Sequence, residues 1–269
     1  GKSRAAPSPW VARKTMSQVC AKSPRGTQPH STEETTNTIV PATTTEQAGD
    51  KSSAEASGEW DPFCQAELEV EAAIASEGDV EGAMGALSEA APEEAKETVE
   101  TTIAEAQKFM ADGGEPTPEF NAAYAEMIGL VKDNCGFGEI DVTGSEYDFA
   151  GLDGEIAAGP NVVTFANEGE EVHEVVIMRI NDDVTESVDE LLALPEEEAM
   201  EKVTPAAGAF AMPGETGYTA AELDPGRYVA VCFVPVGTTP EAMETMDPNA
   251  APEGEPHFAH GMVAEFEVA

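Results

Sequence analysis

Basic side chains are scarce in this sequence. Its 269 residues carry 13 Lys and Arg against 53 Asp and Glu, a formal net charge of −40. A surface so negative repels phosphate backbones and anionic headgroups, which excludes nucleic acid and a polybasic membrane role. Histidine and cysteine are equally sparse, four of each, so any metal chemistry is confined to one small site. Aromatics make up 6% of the chain. Long apolar runs are missing too: nothing approaches the roughly 18 apolar residues that a membrane-spanning helix needs. Neither G-x-G-x-x-G nor a phosphate-binding P-loop occurs. G-x-S-x-G is absent as well, which removes the commonest hydrolase signature. The acidic runs do not follow the spacing of a calcium-binding EF-hand loop.

What is present divides into three parts. Residues 1–58 form a low-complexity stretch of Ser, Thr, Ala and Glu with few large apolar groups, which cannot offset the entropy of ordering and is expected to be disordered. Residues 1–51 hold seven of the basic residues and only four acids, a net of +3; the remaining 218 residues hold six bases and 49 acids, a net of −43. The basic start suggests a targeting segment, but the apolar stretch of a signal peptide does not follow it. The Thr/Ser-rich run is of the kind that separates an export signal or anchor from a folded domain. The acid excess covers the whole body rather than one patch, so it reads first as adaptation to a salty solvent and second as a means of steering a basic partner.

Residues 59–137 have helical periodicity. Phe63, Ala66, Val70, Ala73 and Ile74 form one apolar stripe, and Ala95, Val99, Ile103, Ala106 and Met110 another. Thr117-Pro118-Glu119 marks a further helix start, followed by Phe120, Ala123, Met127, Leu130 and Val131. With the short segment between residues 80 and 91, this predicts a three- or four-helix bundle. Cys64 lies near the start of the first helix and Cys135 at the end of the last. An up-and-down bundle lets these two approach, and a disulfide there would contribute roughly 4 kcal/mol in the chain-entropy model. Two ordinary buried thiols are the alternative.

Residues 138–269 change texture. Short β-branched runs alternate with Gly, Pro, Asn and Asp. Strands are expected at 140–142, 147–149, 162–166, 173–179, 218–221, 227–234 and 262–268, with a helical excursion over 187–203. Seven such strands predict a β-sandwich, and the whole chain an α+β multidomain protein. The chemistry concentrates here. His173 sits on one strand and Cys232 at the end of a second, with His257 and Met262 entering the last. One thiolate, two imidazoles and a weak thioether are the donor set of a blue-copper site. His260 is a rival to His257. Too few histidines are present for the additional copper centre of a multicopper oxidase.

Three stretches, AAGPNVVTFANEGEEVHEVVIMRI, ELDPGRYVAVCFVP and PHFAHGMVAEFEV, carry a resemblance. Residues 138–269 resemble the cupredoxin family of plastocyanin, azurin and related blue-copper domains. The matching features are an Asn/Gly turn before His173, Pro225-Gly226-Arg227-Tyr228 leading to Cys232, and His257 five positions before Met262. The resemblance implies a Greek-key sandwich, copper as cofactor, and His173, Cys232, His257 and Met262 as ligands. It also implies electron transfer without enzymatic activity, and an exported protein placed outside the cell or in its envelope. A basic redox partner such as a cytochrome fits the acid field. The sequence departs from the family in two places: 24 residues separate Cys232 from His257, and Val172 stands where an Asn often braces the loop after Cys. A metal-free extracellular interaction module on the same sandwich is the competing reading.

Overall fold

The computed structural model describes residues 58–76, 78–112, 116–245 and 254–269. The expected disordered tail, with Cys20 and His30, lies outside the described residues apart from Gly58.

Four helices come first: α1 (Asp61–Ala75), α2 (Val80–Ala90), α3 (Lys96–Asp112) and α4 (Pro118–Asn134). Their starts follow ordinary capping chemistry. The Asp79 carboxylate accepts from the Gly82 N–H at 3.0 Å, and the Thr117 hydroxyl from the Phe120 N–H at 3.1 Å. Pro118 at the first helical position needs no hydrogen-bond partner. Cys64 and Cys135 form a disulfide with Cα atoms 5.6 Å apart, tying the start of α1 to the end of α4. No described helix is long and apolar enough to cross a membrane.

The β part has two four-stranded sheets. One has the order β2 (Asp148–Ala150), β1 (Gly138–Ser145), β3 (Gly159–Asn167), β6 (Thr216–Leu223); the other has β5 (Val203–Ala211), β4 (His173–Ile180), β7 (Gly226–Val231), β8 (Val263–Val268). β1 and β3 run parallel, and all other pairs are antiparallel. Val163, Phe165, Val175, Ile177, Tyr228 and Phe266 contribute to the core between the sheets. The two sheets pack face to face around this core as a β-sandwich.

One strand departs from the sequence expectation, while the expected helical excursion before it is present. β5 was not expected; its sequence, VTPAAGAFA, is rich in residues of low strand propensity. Burial of Ala207, Ala209 and Ala211 in the core makes it a strand, because small side chains fit there. The excursion before it is two short helices, α5 (Val188–Leu192) and α6 (Glu196–Met200), the first closed by a capping box between Ser187 and Glu190.

The helices do not close a core on themselves. Phe63, Leu87, Val99, Ile128 and Val131 share one apolar cluster with Val162 of β3 and Ala220 of β6. β3 is thereby covered on both faces, which accounts for the unbroken apolar run Val162-Val163 in its middle. Polar bonds cross the same seam. Lys132 Nζ pairs with Glu139 at 2.7 Å and donates to the Thr164 hydroxyl at 3.1 Å, and the Thr219 hydroxyl donates to Glu71 at 2.9 Å.

Glu67 is fully buried in this seam, and burial, reinforced by the neighbouring Glu71 charge, raises its pKa. A raised carboxyl binds its proton more tightly in the folded state than in the unfolded chain. Its stabilising effect is complete below the unfolded value and is lost as pH climbs through the folded one. The urea midpoint at constant high salt should therefore fall between pH 5 and pH 8, and Glu67→Gln should flatten that fall. An unchanged slope in the variant would contradict this account.

Candidate metal centre

Antiparallel pairing gathers the site. Val176 of β4 and Val263 of β8 both lie opposite Val231, the last residue of β7. The start of β4, the end of β7 and the start of β8 therefore meet at one end of the sandwich. His173 is the first residue of β4, and Cys232 follows β7 directly. His257 opens a short 3-10 helix, His257–His260, and Met262 precedes β8. Gly261, at φ +116°, makes the left-handed turn between that helix and β8.

The 24-residue connection between Cys232 and His257 is closed at its neck. Pro235 and Pro256 form a β-bridge, and the Val236 N–H donates to the Glu255 carbonyl at 2.9 Å. His257 N–H donates to the Val234 carbonyl at 2.8 Å, and Phe258 N–H to the Cys232 carbonyl at 3.0 Å. The chain thus leaves and returns at adjacent positions, which sets His257 beside Cys232 whatever the excursion does.

His173, Cys232 and His257 form a cluster whose donor atoms lie within 4.8 Å of one another, and all three residues are fully buried. His173 Nδ1 is 3.0 Å from His257 Nδ1, and Cys232 Sγ is 3.3 Å from His257 Nδ1. Met262 is also fully buried, and its backbone bonds to both neighbours: Cys232 N–H donates to its carbonyl and its N–H donates to the His257 carbonyl, each at 3.2 Å. The Met262 methyl approaches Gly144, where a Cβ would come within 3.0 Å of it. His260 stands apart from the cluster, exposed, with its Nε2 3.3 Å from Glu255.

Two carboxylates hold the imidazoles from outside. Glu146, in the β1–β2 turn, lies 3.1 Å from His173 Nε2. Its Oε1 also accepts from the N–H groups of Glu170 and Glu171, at 2.6 and 2.8 Å. Glu171 lies 3.1 Å from His257 Nε2 and accepts from the Gly237 N–H at 2.5 Å and the Tyr147 hydroxyl at 3.0 Å. Burial pushes both carboxyls up, but the backbone donors and the imidazoles outweigh it and hold both below the usual range. Gly169 leaves the space for this arrangement: a Cβ there would come within 2.3 Å of Glu146 Oε1 and 2.7 Å of His173 Nε2.

Glu171 and Val172 also do the bracing that an Asn before His173 would do. Glu171 fixes the Gly237 amide, and Val172 N–H donates to the Thr238 carbonyl at 2.8 Å. Neither Glu146 nor Glu171 stands out in a sequence with 53 acids.

The electrostatics follow from these partners. Carboxylates accept only, so each imidazole donates its Nε2–H outward and keeps its lone pair on Nδ1. Two such lone pairs then face each other beside a sulfur. Burial, helped by His173, lowers the His257 pKa to about 4, and burial lowers that of His173 as well. Both rings are therefore neutral at pH 7. Burial, with the nearby Glu174 charge, raises the Cys232 thiol well above its usual range. The Cys232 S–H is in reach of one of these lone pairs, His257 Nδ1, and the other is left for a cation that would displace the thiol proton. A separation of 3.0–3.3 Å suits donors sharing one ion at about 2.0–2.3 Å from each, and one thiol with two imidazoles is a set suited to copper. Loss of an outer partner typically weakens metal affinity about 10–100-fold. Glu171→Gln is expected to weaken Cu(II) binding by that factor in a competition titration, and an unchanged affinity would show that Glu171 does not set the ring.

No family model matches the sequence, and no curated protein matches it. Among solved structures, the chain is similar to a dithionite-reduced auracyanin from the photosynthetic bacterium Roseiflexus castenholzii, with 23% identity and a TM-score of 0.31 over 49% of this chain and 96% of that one. Auracyanin B gives 19% identity and a TM-score of 0.29, covering 49% and 88%. The multicopper oxidase McoA from Aquifex aeolicus gives 13% and 0.27, covering 49% and 29%. Auracyanins and a multicopper oxidase thus each match 49% of the chain, at identities and TM-scores too low to carry chemistry across.

Proposed function

We propose that this chain is an exported blue-copper electron carrier, with His173, Cys232, His257 and Met262 as ligands to one copper ion. The observation that supports this most is the pair of Nδ1 atoms 3.0 Å apart, each turned inward because its Nε2 is bound to a carboxylate. Bound copper would supply a one-electron couple. Cys232 would give the thiolate that favours Cu(I), and the two imidazoles serve both oxidation states. Glu146 and Glu171 keep the rings in place when the ion's charge changes, and the buried setting excludes water. Both effects keep rearrangement small during electron exchange. Met262 would stand as the weak fourth donor.

The segment 138–269 is the functional unit in this reading, and 59–137 is a helical cover for one face of its sheet. The Cys64–Cys135 disulfide favours an oxidising compartment outside the cytosol. The net charge of −40 favours a partner of opposite sign. A carrier rather than an oxidase is the reading that fits one His/Cys/His cluster among the described residues.

Titration of the purified full chain with Cu(II), followed by visible absorption, tests the proposal. One equivalent should produce an intense thiolate-to-copper charge-transfer band. Ascorbate should bleach it reversibly, and Cys232→Ser should lack it. Tight copper binding with no such band, or no tight binding at all, would overturn the assignment.

A further inference from the structure

Strand β4 has a second face. His173 and Val175 point between the sheets, so Glu174 and Val176 point the other way. There they line a cavity of about 220 Å³ between the helices and the β4–β5–β6 edge. Val70, Ile74, Met84, Leu87 and Met127 are among its mainly apolar walls.

Most polar groups on the inner walls are already satisfied. Glu71 takes the Tyr124 hydroxyl on one oxygen and the Thr219 hydroxyl on the other. The Thr102 hydroxyl donates to the Thr98 carbonyl at 2.9 Å. Glu174 is the exception. It is only 7% exposed, and its Oε1 accepts from the Phe233 N–H at 3.1 Å. Its Oε2 has no hydrogen-bond partner among the described residues. A carboxyl oxygen left bare in an apolar wall is costly, and an occupant that bonds to it removes that cost.

We propose that this cavity binds a small uncharged amphiphile, an apolar body bearing one hydroxyl, with the hydroxyl on Glu174 Oε2 and the body among Met84, Leu87 and Met127. The site offers one open polar atom, and a hydroxyl brings one polar group to meet it. An ammonium would bring three donors to that single oxygen and leave the others unpaired among apolar side chains. An anion would meet two carboxyls, Glu71 and Glu174, with no described Lys, Arg or His on the lining to receive it. Burial raises the Glu174 pKa to about 7. A hydroxyl suits both forms of the carboxyl, donating to the ionised one and accepting from the protonated one, so the fit does not depend on its titration. The volume is sufficient, since a dry cavity of about 150 Å³ already accommodates a benzene ring. Asn121 and Thr216, exposed residues of the lining, put the cavity in contact with solvent.

The test uses the full chain, labelled at its methionine methyls and backbone amides for NMR, with a chelator present to keep it free of metal. 2-Phenylethanol should shift the Met84 and Met127 methyls and the Phe233 amide saturably, with one affinity. Ethylbenzene, which has no hydroxyl, should shift the methyls and leave the Phe233 amide in place. 3-Phenylpropionate should move neither. Glu174→Gln keeps a donor and an acceptor and should still bind the alcohol. Glu174→Leu should weaken 2-phenylethanol about tenfold relative to ethylbenzene, the loss of one hydrogen bond. Four results would each overturn the proposal: methyls unmoved by the alcohol, methyls moved without the Phe233 amide, the carboxylate bound as well as the alcohol, or an unchanged ratio in folded Glu174→Leu. The first three need no variant, so they decide the matter even where Glu174→Leu fails to fold.

Discussion

Two imidazole lone pairs facing each other across 3.0 Å form the constraint on which the sandwich's far end depends. Bare neutral rings would turn away from such a contact. Each is prevented from doing so by a carboxylate at 3.1 Å on its other nitrogen. Those carboxylates are themselves held by backbone amides, Glu146 by residues 170 and 171 and Glu171 by Gly237. The arrangement therefore runs from backbone to carboxylate to ring to a common point. Its energetic cost makes sense as preparation for a cation, since a site built in advance has little reorganisation left to do when the ion arrives.

Topology makes this affordable for so short a list of residues. Antiparallel pairing of β7 with both β4 and β8 already places two strand starts beside one strand end. Only the neck at Pro235 and Pro256 has then to be closed for His257 to join Cys232. The helical layer works at the opposite face of the other sheet, where it buries Val162 and Ala220 and leaves a cavity beside Glu71. The two regions share the strand β4: His173 belongs to the donor cluster, and Glu174 lines the cavity while its Oε1 accepts from the Phe233 N–H at 3.1 Å.

Much of this was legible in the sequence, though unevenly. Helical stripes gave α1, α3 and α4, because apolar spacing of three and four leaves little choice. The cluster members His173, Cys232 and His257 were legible because rare residue types in a known order stand out against an acidic background. Rarity also explains the failures. Glu146 and Glu171 are as important to the cluster as its own members, yet they are two among 53 acids. β5 was hidden because Ala and Gly signal no strand until a core is there to receive them. The closure of the long loop depends on contacts between residues about 20 positions apart, which no local pattern reports. The acid coat, finally, is not all coat: Glu67 and Glu174 are buried, and Glu146 and Glu171 are spent on the imidazoles.

The central claim is that one copper ion is held by the Cys232 sulfur and the two inward nitrogens. Copper-edge X-ray absorption of the loaded full chain measures this directly. The account predicts a shell of two nitrogens at about 2.0 Å and one sulfur at about 2.3 Å, with the sulfur shell lost in Cys232→Ser. A first shell of nitrogen and oxygen alone in the unmodified protein would contradict it.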